Sequence, residues 1–206
     1  PDGSLYVADW YDPGVGGHRM GDVDRGRIFR VAPPGHAATV PKFDFSTVQG
    51  AISALRSPNR VVQYLARTSL RKLGTAAEQG LATMFKANSN PRFRARALWL
   101  LGKGARGDMW VQRALEDSDP NIRSVGIRLA RQRMRNPLPV VAPLVEDDSP
   151  LVRRELAIAL RHQKVPAAAG LWAQLALRHD GKDRWYLEAL GLAADGQESV
   201  FFYHLA

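Results

Sequence analysis

The sequence predicts an all-α fold, an α-solenoid of about five helix pairs that follows a short β segment. The first observation is a proline beside a polar residue that recurs at intervals of 33, 29 and 30 residues. These prolines are Pro58, Pro91, Pro120 and Pro150. The second observation is an apolar segment of helical periodicity after each proline, and the third is the absence of this pattern from the first 35 residues. A repeat of this length is typical of helical arrays.

Residues 1–35 contain two segments with the alternating pattern of β-strands, Leu5–Ala8 and Gly26–Ala32. A loop rich in Gly, Asp and Arg, Asp9–Arg25, separates them. Two strands alone bury too little apolar surface to be stable. We therefore expect this unit to pack on further strands or on the helices.

Residues 36–45 are predicted to be a linker, and residues 46–206 to be the helical domain. Each helix of that domain is too short to be stable alone, so its neighbours must cover its apolar side. The predicted helix pairs are 47–56 with 58–73, 76–87 with 91–102, 109–116 with 120–134, 137–146 with 150–162, and 166–178 with 183–194, and a last unpaired helix covers 197–205.

Polar residues at the predicted helix starts are assigned as N-caps, because their side-chain oxygens can accept a hydrogen bond from a free backbone N–H. These residues are Ser46 and Thr75, with Gln49 and Glu78 as their capping-box partners, and Asp108, Ser149 and Asp183. Asp183 opens a polar segment beside Trp185, and this capping role is preferred to that of a catalytic base.

The chain has no cysteine, which excludes disulfides, thiolate zinc sites and a cysteine nucleophile. It also excludes covalent attachment of c-type haem within this chain, which needs a C-x-x-C-H motif. No apolar run approaches the roughly 18 residues that a membrane-spanning helix needs. The chain begins without Met and within what reads as a domain, so we expect it to be a fragment of a longer protein.

The net charge of +9 is carried by the helical part. Residues 1–50 hold five Lys and Arg against six Asp and Glu, whereas residues 51–206 hold 24 against 14. A basic surface suits nucleic acid, an acidic protein or an anionic membrane. The alternative is that arginine simply serves as a good surface helix former whose aliphatic stem covers apolar side chains.

An arginine recurs two or three positions after each of the four prolines. These are Arg60, Arg94, Arg123 and Arg153, and the acidic residues before them are Asp117 with Asp119 and Asp147 with Asp148. The pattern favours a structural ladder of Arg94, Asp119, Arg123, Asp148 and Arg153, in which each guanidinium binds turn carboxylates and carbonyls. The alternative is a row of arginines that binds an anion.

The segments LEDSDPNIR at 115–123 and LVEDDSPLVR at 144–153 resemble the HEAT family, in particular the short HEAT-like repeats of phycobilisome lyases. The resemblance covers about residues 47–195 and implies an α-solenoid. It implies little about activity, since most HEAT arrays are interaction scaffolds. The first repeat departs from the pattern, because Ser57 replaces the acid and Arg60 comes one step early.

Four tryptophans lie in the helical part: Trp99, Trp110, Trp172 and Trp185. Each falls within an apolar periodic run, which predicts core packing. In some HEAT-like DNA glycosylases, aromatic side chains and a carboxylate hold an extruded base, and that is the alternative.

The loop within residues 1–35 holds the candidate catalytic residues His18, Arg19, Asp24 and Arg25. Asp22 and Asp24, followed by Gly26, resemble half of a calcium-binding loop. The remaining ligand positions of such a loop are absent, so a solvated or hydrogen-bonded loop is the preferred interpretation.

Residues 1–31 resemble the last propeller blade of a family of bacterial membrane-bound dehydrogenases, whose propellers are related to sugar dehydrogenases that use pyrroloquinoline quinone. The matching residues are Asp2, Gly3, Leu5, Tyr6, Val7, Asp9, Trp10, Tyr11, His18, Asp24, Arg25, Gly26, Arg27, Ile28, Arg30 and Val31. The segment DGKDRWYLEALG at 180–191 resembles the repeat region of that family. There, HEAT-like repeats and then a c-type cytochrome domain follow the propeller.

The resemblance implies a periplasmic or secreted parent whose cofactors are pyrroloquinoline quinone and haem c, with no cofactor in this chain. It implies that the chain is a non-catalytic scaffold between the propeller and the cytochrome domain. The expected contact residues are basic side chains on the second helix of each pair: Arg67, Arg71, Arg128, Arg131 and Arg161.

Two alternatives stay open at this point. In one, the loop residues His18, Arg19, Asp24 and Arg25 belong to a dehydrogenase site for a sugar or alcohol. In the other, the basic helical part binds nucleic acid, which we consider the less favoured partner.

Overall fold

The structure is a computed structural model in which residues 4–9, 26–37, 39 and 41–205 are described. Most of these residues are helical, and two strands form a small antiparallel sheet, as predicted. The chain divides into two compact units, Pro1–Asp44 and Phe45–Ala206.

The first unit contains β1 (Leu5–Asp9) and β2 (Arg27–Val31), which pair with Leu5 opposite Val31 and Asp9 opposite Arg27. Every residue of both strands is exposed. The described residues of the predicted linker, 36, 37, 39 and 41–45, are neither helix nor strand.

The second unit consists of helices joined by short turns. The α-helices are α1 (Val48–Leu55), α2 (Arg60–Leu73), α3 (Glu78–Ala87), α4 (Pro91–Leu101), α5 (Gly107–Leu115), α6 (Pro120–Arg133), α7 (Leu138–Val141), α8 (Pro150–Leu160), α9 (Pro166–Leu177), α10 (Arg184–Ala194) and α11 (Glu198–Tyr203). Two 3-10 helices cover Gly74–Ala77 and Ala142–Glu146.

The helices make two kinds of contact, one within a consecutive pair and one between the second helices of successive pairs. Helices α1 and α2, α3 and α4, and α5 and α6 pack as consecutive pairs. In addition, α2 contacts α4, α4 contacts α6, α6 contacts α8, and α8 contacts α10. Buried apolar side chains occur in every α-helix from α1 to α11, so the core runs along the whole unit.

One predicted helix, 137–146, is replaced by a short α-helix and a 3-10 helix. Pro139 and Pro143 lie inside this segment. Pro139 falls in the first turn of α7, where a proline is tolerated, whereas Pro143 would remove a backbone donor inside a continuous α-helix and clash with its preceding turn. The tighter 3-10 geometry accommodates the second proline. The proline pattern is also less uniform than predicted, because Pro58 precedes the N-cap Asn59, whereas Pro91 occupies the first position of its helix.

Three of the predicted caps are wrong, and a fourth is correct in position only. Thr47, not Ser46, caps α1 and accepts a hydrogen bond from the backbone N–H of Gly50. Thr75 lies within a 3-10 helix, and the N-cap positions of α3 and α5 are Ala77 and Arg106, neither of which makes a side-chain cap. Ser149 occupies its predicted N-cap position without a side-chain hydrogen bond. The fifth assignment, Asp183, accepts from the backbone N–H of Tyr186 at 3.1 Å.

No helix within the described residues is both long enough and apolar enough to cross a bilayer.

Candidate interaction surface

Four turns before α2, α4, α6 and α8 share one hydrogen bond. A polar side chain two residues before the helix N-cap accepts the backbone N–H of that N-cap. The four pairs are Ser57 with Asn59 at 3.2 Å, Asn88 with Asn90 at 2.9 Å, Asp117 with Asp119 at 3.0 Å, and Asp147 with Ser149 at 2.9 Å. The bond fixes the chain direction at the entry to each of these helices.

The fourth residue of three of these helices donates back to the carbonyl of the same turn residue. Arg123 Nη1 donates to the Asp117 carbonyl at 2.8 Å, and Arg153 Nη1 donates to the Asp147 carbonyl at 2.6 Å. In α2 the equivalent donor is Gln63, whose Nε2 donates to the Ser57 carbonyl at 2.8 Å. The repeated position is therefore occupied by a buried Gln63 in the first pair, not by Arg60.

Arginines at this fourth position also connect one pair to the next. Arg94 pairs with the Asp117 carboxylate, and its Nε donates to the Phe85 carbonyl at 2.9 Å. Arg123 binds Asp147 through two bonds, from Nε to Oδ2 at 2.7 Å and from Nη2 to Oδ1 at 2.8 Å. Such a bidentate pair fixes both distance and orientation.

The carboxylates of this ladder differ from the predicted Asp119 and Asp148. Asp119 caps α6 and accepts from the backbone N–H of Asn121 at 2.8 Å. Asp148 is exposed and contributes its backbone carbonyl, which accepts from Arg153 at 3.1 Å. The residues two positions before each cap, Asp117 and Asp147, face the preceding pair instead.

The last arginine at this repeated fourth position, Arg153, lies against an aromatic ring. The guanidinium carbon of Arg153 lies 5.7 Å from the centroid of the Tyr186 ring, where a cation and a π-system attract each other. Tyr186 is buried, and its hydroxyl donates to the Leu175 carbonyl at 2.9 Å. Burial raises the pKa of Tyr186 even though the positive charge of Arg153 opposes the shift.

Opposing influences set the pKa of Asp147. Burial alone would raise it, but hydrogen bonds from Arg123 and from the backbone N–H of Ser149, with the nearby charges of Arg123 and Arg153, lower it overall. The side chain of Asp147 is 5% exposed and that of Arg123 is 15% exposed. The pair is therefore shielded from water, and its charges interact more strongly than a surface pair.

Two of the predicted contact arginines are engaged by a buried carboxylate. Glu155 of α8 accepts from Arg128 Nε at 2.8 Å, and Arg131 Nη1 lies 3.7 Å from its other oxygen. Glu155 is only 5% exposed, so it requires a positive partner. Arg161 pairs with Asp195 at 3.0 Å. These three arginines therefore bind α8, or the end of α10, and do not present a free charge.

The other two predicted contact residues, Arg67 and Arg71, are exposed on α2. Within residues 41–205 neither guanidinium makes a hydrogen bond or an ion pair. They line a groove of about 460 Å³ between α2 and α4, with one residue of α6 at its edge. We call this the cationic groove; its lining residues are Tyr64, Arg67, Thr68, Arg71, Trp99, Leu100, Lys103 and Gln132.

The four tryptophans do not share one environment. Trp110 and Trp172 are buried, and their ring N–H groups donate to Glu78 at 3.1 Å and to the Leu190 carbonyl at 2.9 Å. Trp99 is half-buried at the cationic groove. Trp185 is 68% exposed, which contradicts the predicted core position.

The loop candidates His18, Arg19, Asp22, Asp24 and Arg25 lie outside the described residues. Within the described part of the chain, no group of three or more His, Asp and Glu side chains is arranged to hold a metal ion.

Comparison of the chain with protein-family models, with curated proteins and with solved structures finds no match in any of the three.

Sequence reasoning missed Gln63, Glu155 and the groove residues Tyr64 and Lys103. A signal for Gln63 does exist in the sequence, because it lies four residues after its N-cap, as Arg94, Arg123 and Arg153 do. Counting from the N-cap rather than from the proline identifies it.

Proposed function

We propose that residues 45–206 form a HEAT-like α-solenoid that acts as a non-catalytic interaction scaffold. The observation that supports this most is the repetition at Asp117 and Asp147. Each residue binds an arginine of the preceding pair through its carboxylate, and the fourth residue of the following helix through its carbonyl. Bonds that repeat from pair to pair give successive pairs the same relative placement, as solenoid scaffolds require.

In this proposal the scaffold belongs to a longer periplasmic or secreted redox protein. It joins a dehydrogenase-like β-propeller, whose last blade includes residues 1–35, to a c-type cytochrome domain. The propeller would hold pyrroloquinoline quinone and the cytochrome domain haem c, so the helical unit needs no cofactor of its own. The exposed β1–β2 hairpin supports the proposal, since two strands need further strands to be stable.

The test is cross-linking of the full-length protein encoded by the complete gene, followed by mass spectrometry. We expect cross-links from the helical unit to a propeller on one side and to a haem-bearing domain on the other. A complete gene that encodes neither domain, or a full-length protein in which the helical unit cross-links to neither, would overturn the proposal.

The same protein separates the scaffold from the alternative in which the N-terminal loop belongs to a dehydrogenase site. Replacement of His18 by Ala and of Arg19 by Gln should leave sugar or alcohol oxidation unchanged if the chain is only a scaffold. A loss of turnover with retained cross-links would favour the dehydrogenase alternative.

A further inference from the structure

The cationic groove concentrates positive charge without a balancing carboxylate. Arg67 and Arg71 on α2 and Lys103 after α4 supply three positive charges, and no Asp or Glu lines the groove. By contrast, Arg94, Arg123 and Arg128 each have a carboxylate partner. Unbalanced charge at an exposed groove attracts anions and raises their rate of association.

The positive region extends along α2 and α4 beyond the groove. Arg96 is half-buried, and its Nη1 donates to the carbonyls of Leu55 at 2.8 Å and Ser57 at 3.3 Å. Burial lowers the pKa of Arg96, and the nearby positive charges of Arg60, Arg67 and Arg92 lower it further. Arginine stays protonated despite such a shift, so the cluster keeps its full charge.

The aromatic rings of this region are already covered by cations. Lys103 Nζ lies 5.4 Å from the centroid of Trp99, and the guanidinium carbon of Arg96 lies 5.3 Å from the centroid of Phe93. Single-stranded nucleic acid needs open ring faces on which successive bases stack. The covered rings instead hold the positive charges of Lys103 and Arg96 in place. Fixed positive charges suit the binding of carboxylates. Tyr64, at 60% exposure, remains as one open aromatic surface for an apolar side chain.

The spacing of the cations fits an extended peptide. Arg60, Arg67 and Arg71 lie along one side of α2, over about 16 Å at the rise of about 1.5 Å per residue of an α-helix. An extended segment of about five residues covers this distance. Arginine and tyrosine are also the side chains that most often dominate protein–protein binding.

We propose that the cationic groove binds an extended acidic segment of a partner protein. This inference rests on the scaffold function proposed above and identifies the chemistry of its partner. The acidic side chains would pair with Arg67, Arg71 and Lys103, and an apolar residue of the segment would cover Tyr64.

The test is fluorescence anisotropy of a labelled oligo-glutamate peptide titrated with the intact chain at low and at physiological ionic strength. We expect binding that weakens with salt, because the contact is made by exposed charges. The double variant R67Q/R71Q should weaken binding about tenfold or more. The matched control R135Q/K182Q removes the same charge at exposed positions outside the groove and should weaken binding less than about twofold.

Three results would overturn the inference: no binding of the peptide, equal weakening in the two double variants, or tighter binding of an oligothymidylate of matched charge. The last result would make nucleic acid the partner. Circular dichroism should show unchanged folding, since all four positions are exposed. If the full-length protein still cross-links to its neighbouring domains, a negative peptide result removes the groove inference and leaves the scaffold proposal standing.

Discussion

Arg123 binds both carboxylate oxygens of Asp147, at 2.7 and 2.8 Å, from the preceding helix pair. The replacement Asp147→Asn keeps an acceptor for the N–H of Ser149 but leaves Arg123 without its counter-charge in a shielded position. We expect the free energy of unfolding to fall by about 3 kcal/mol at neutral pH, measured by urea denaturation. The control Asp148→Asn changes an exposed carboxylate and should stay within about 0.5 kcal/mol of the parent.

The stability that Asp147 contributes should depend on pH. Its pKa in the folded protein lies below the ordinary value of 3.8, so the contribution is fully present above 3.8 and is lost as the pH falls through the folded pKa. The difference in unfolding free energy between the parent and Asp147→Asn should therefore be constant from neutral pH to mildly acidic pH and narrow below 3.8. A difference that widened in acid would contradict the assigned direction of the pKa shift.

Gln63, rather than Arg60, should carry the stability of the first turn. The change Gln63→Ala removes the closer of two side-chain donors to the Ser57 carbonyl, since Arg96 Nη1 stays at 3.3 Å, and should cost about 1 kcal/mol of unfolding free energy. The change Arg60→Ala removes an exposed side chain and should cost less than about 0.5 kcal/mol. Chemical denaturation of the two variants decides between them, and the reverse order would mean that Arg60 is the true equivalent of Arg123.

The caps of α6 and α8 should respond differently to the same truncation. Asp119→Ala removes the acceptor for the N–H of Asn121 and should cost about 1 kcal/mol. Ser149→Ala removes a hydroxyl that makes no cap, so its cost should be less than about 0.5 kcal/mol. Thermal unfolding of both variants is the measurement, and equal losses would show that the Ser149 hydroxyl caps its helix in solution.

Glu155 should be coupled more strongly to Arg128 than to Arg131. The distance from Arg128 Nη2 to the carboxylate is 2.7 Å, whereas that from Arg131 Nη1 is 3.7 Å. A double-mutant cycle of Glu155→Gln with Arg128→Gln should give a coupling energy of about 1 kcal/mol. The parallel cycle with Arg131→Gln serves as the control and should give less than half of that value.

Much of the fold could be predicted because its signals are local. Alternation predicts the two strands, and a proline that fits the first helical position predicts the starts of α4, α6 and α8. The segment 137–146 is predicted as one helix, but Pro143 interrupts it. Apolar periodicity indicates which side chains are buried, whereas proline restricts the backbone conformation of the segment that buries them.

The partners within the candidate surface could not be predicted with the same success. Asp117 and Asp119 are two residues apart in one turn, and only the three-dimensional path of the chain directs one to Arg94 and the other to its own helix. Arg128 and Arg131 are exposed, but the sequence does not show that they are paired, because their partner, Glu155, comes from the next pair along the sequence. Contacts between residues that are 23 to 27 positions apart cannot be recognised from a local sequence pattern.

Asp117 and Asp147 each bind one partner through the carboxylate and another through the backbone carbonyl. This equivalence affects how the chain could gain or lose a helix pair. If residues 118–147 were excised, Asp117 would directly precede Asp148 and take the place of Asp147. Arg94 would then supply the guanidinium that Arg123 supplies to Asp147, and the backbone carbonyl of Asp117 would accept from Arg153. Gene duplication or loss between these two points would thus conserve these turn bonds, whereas the loss would also remove Arg128 and Arg131, the positive partners of Glu155.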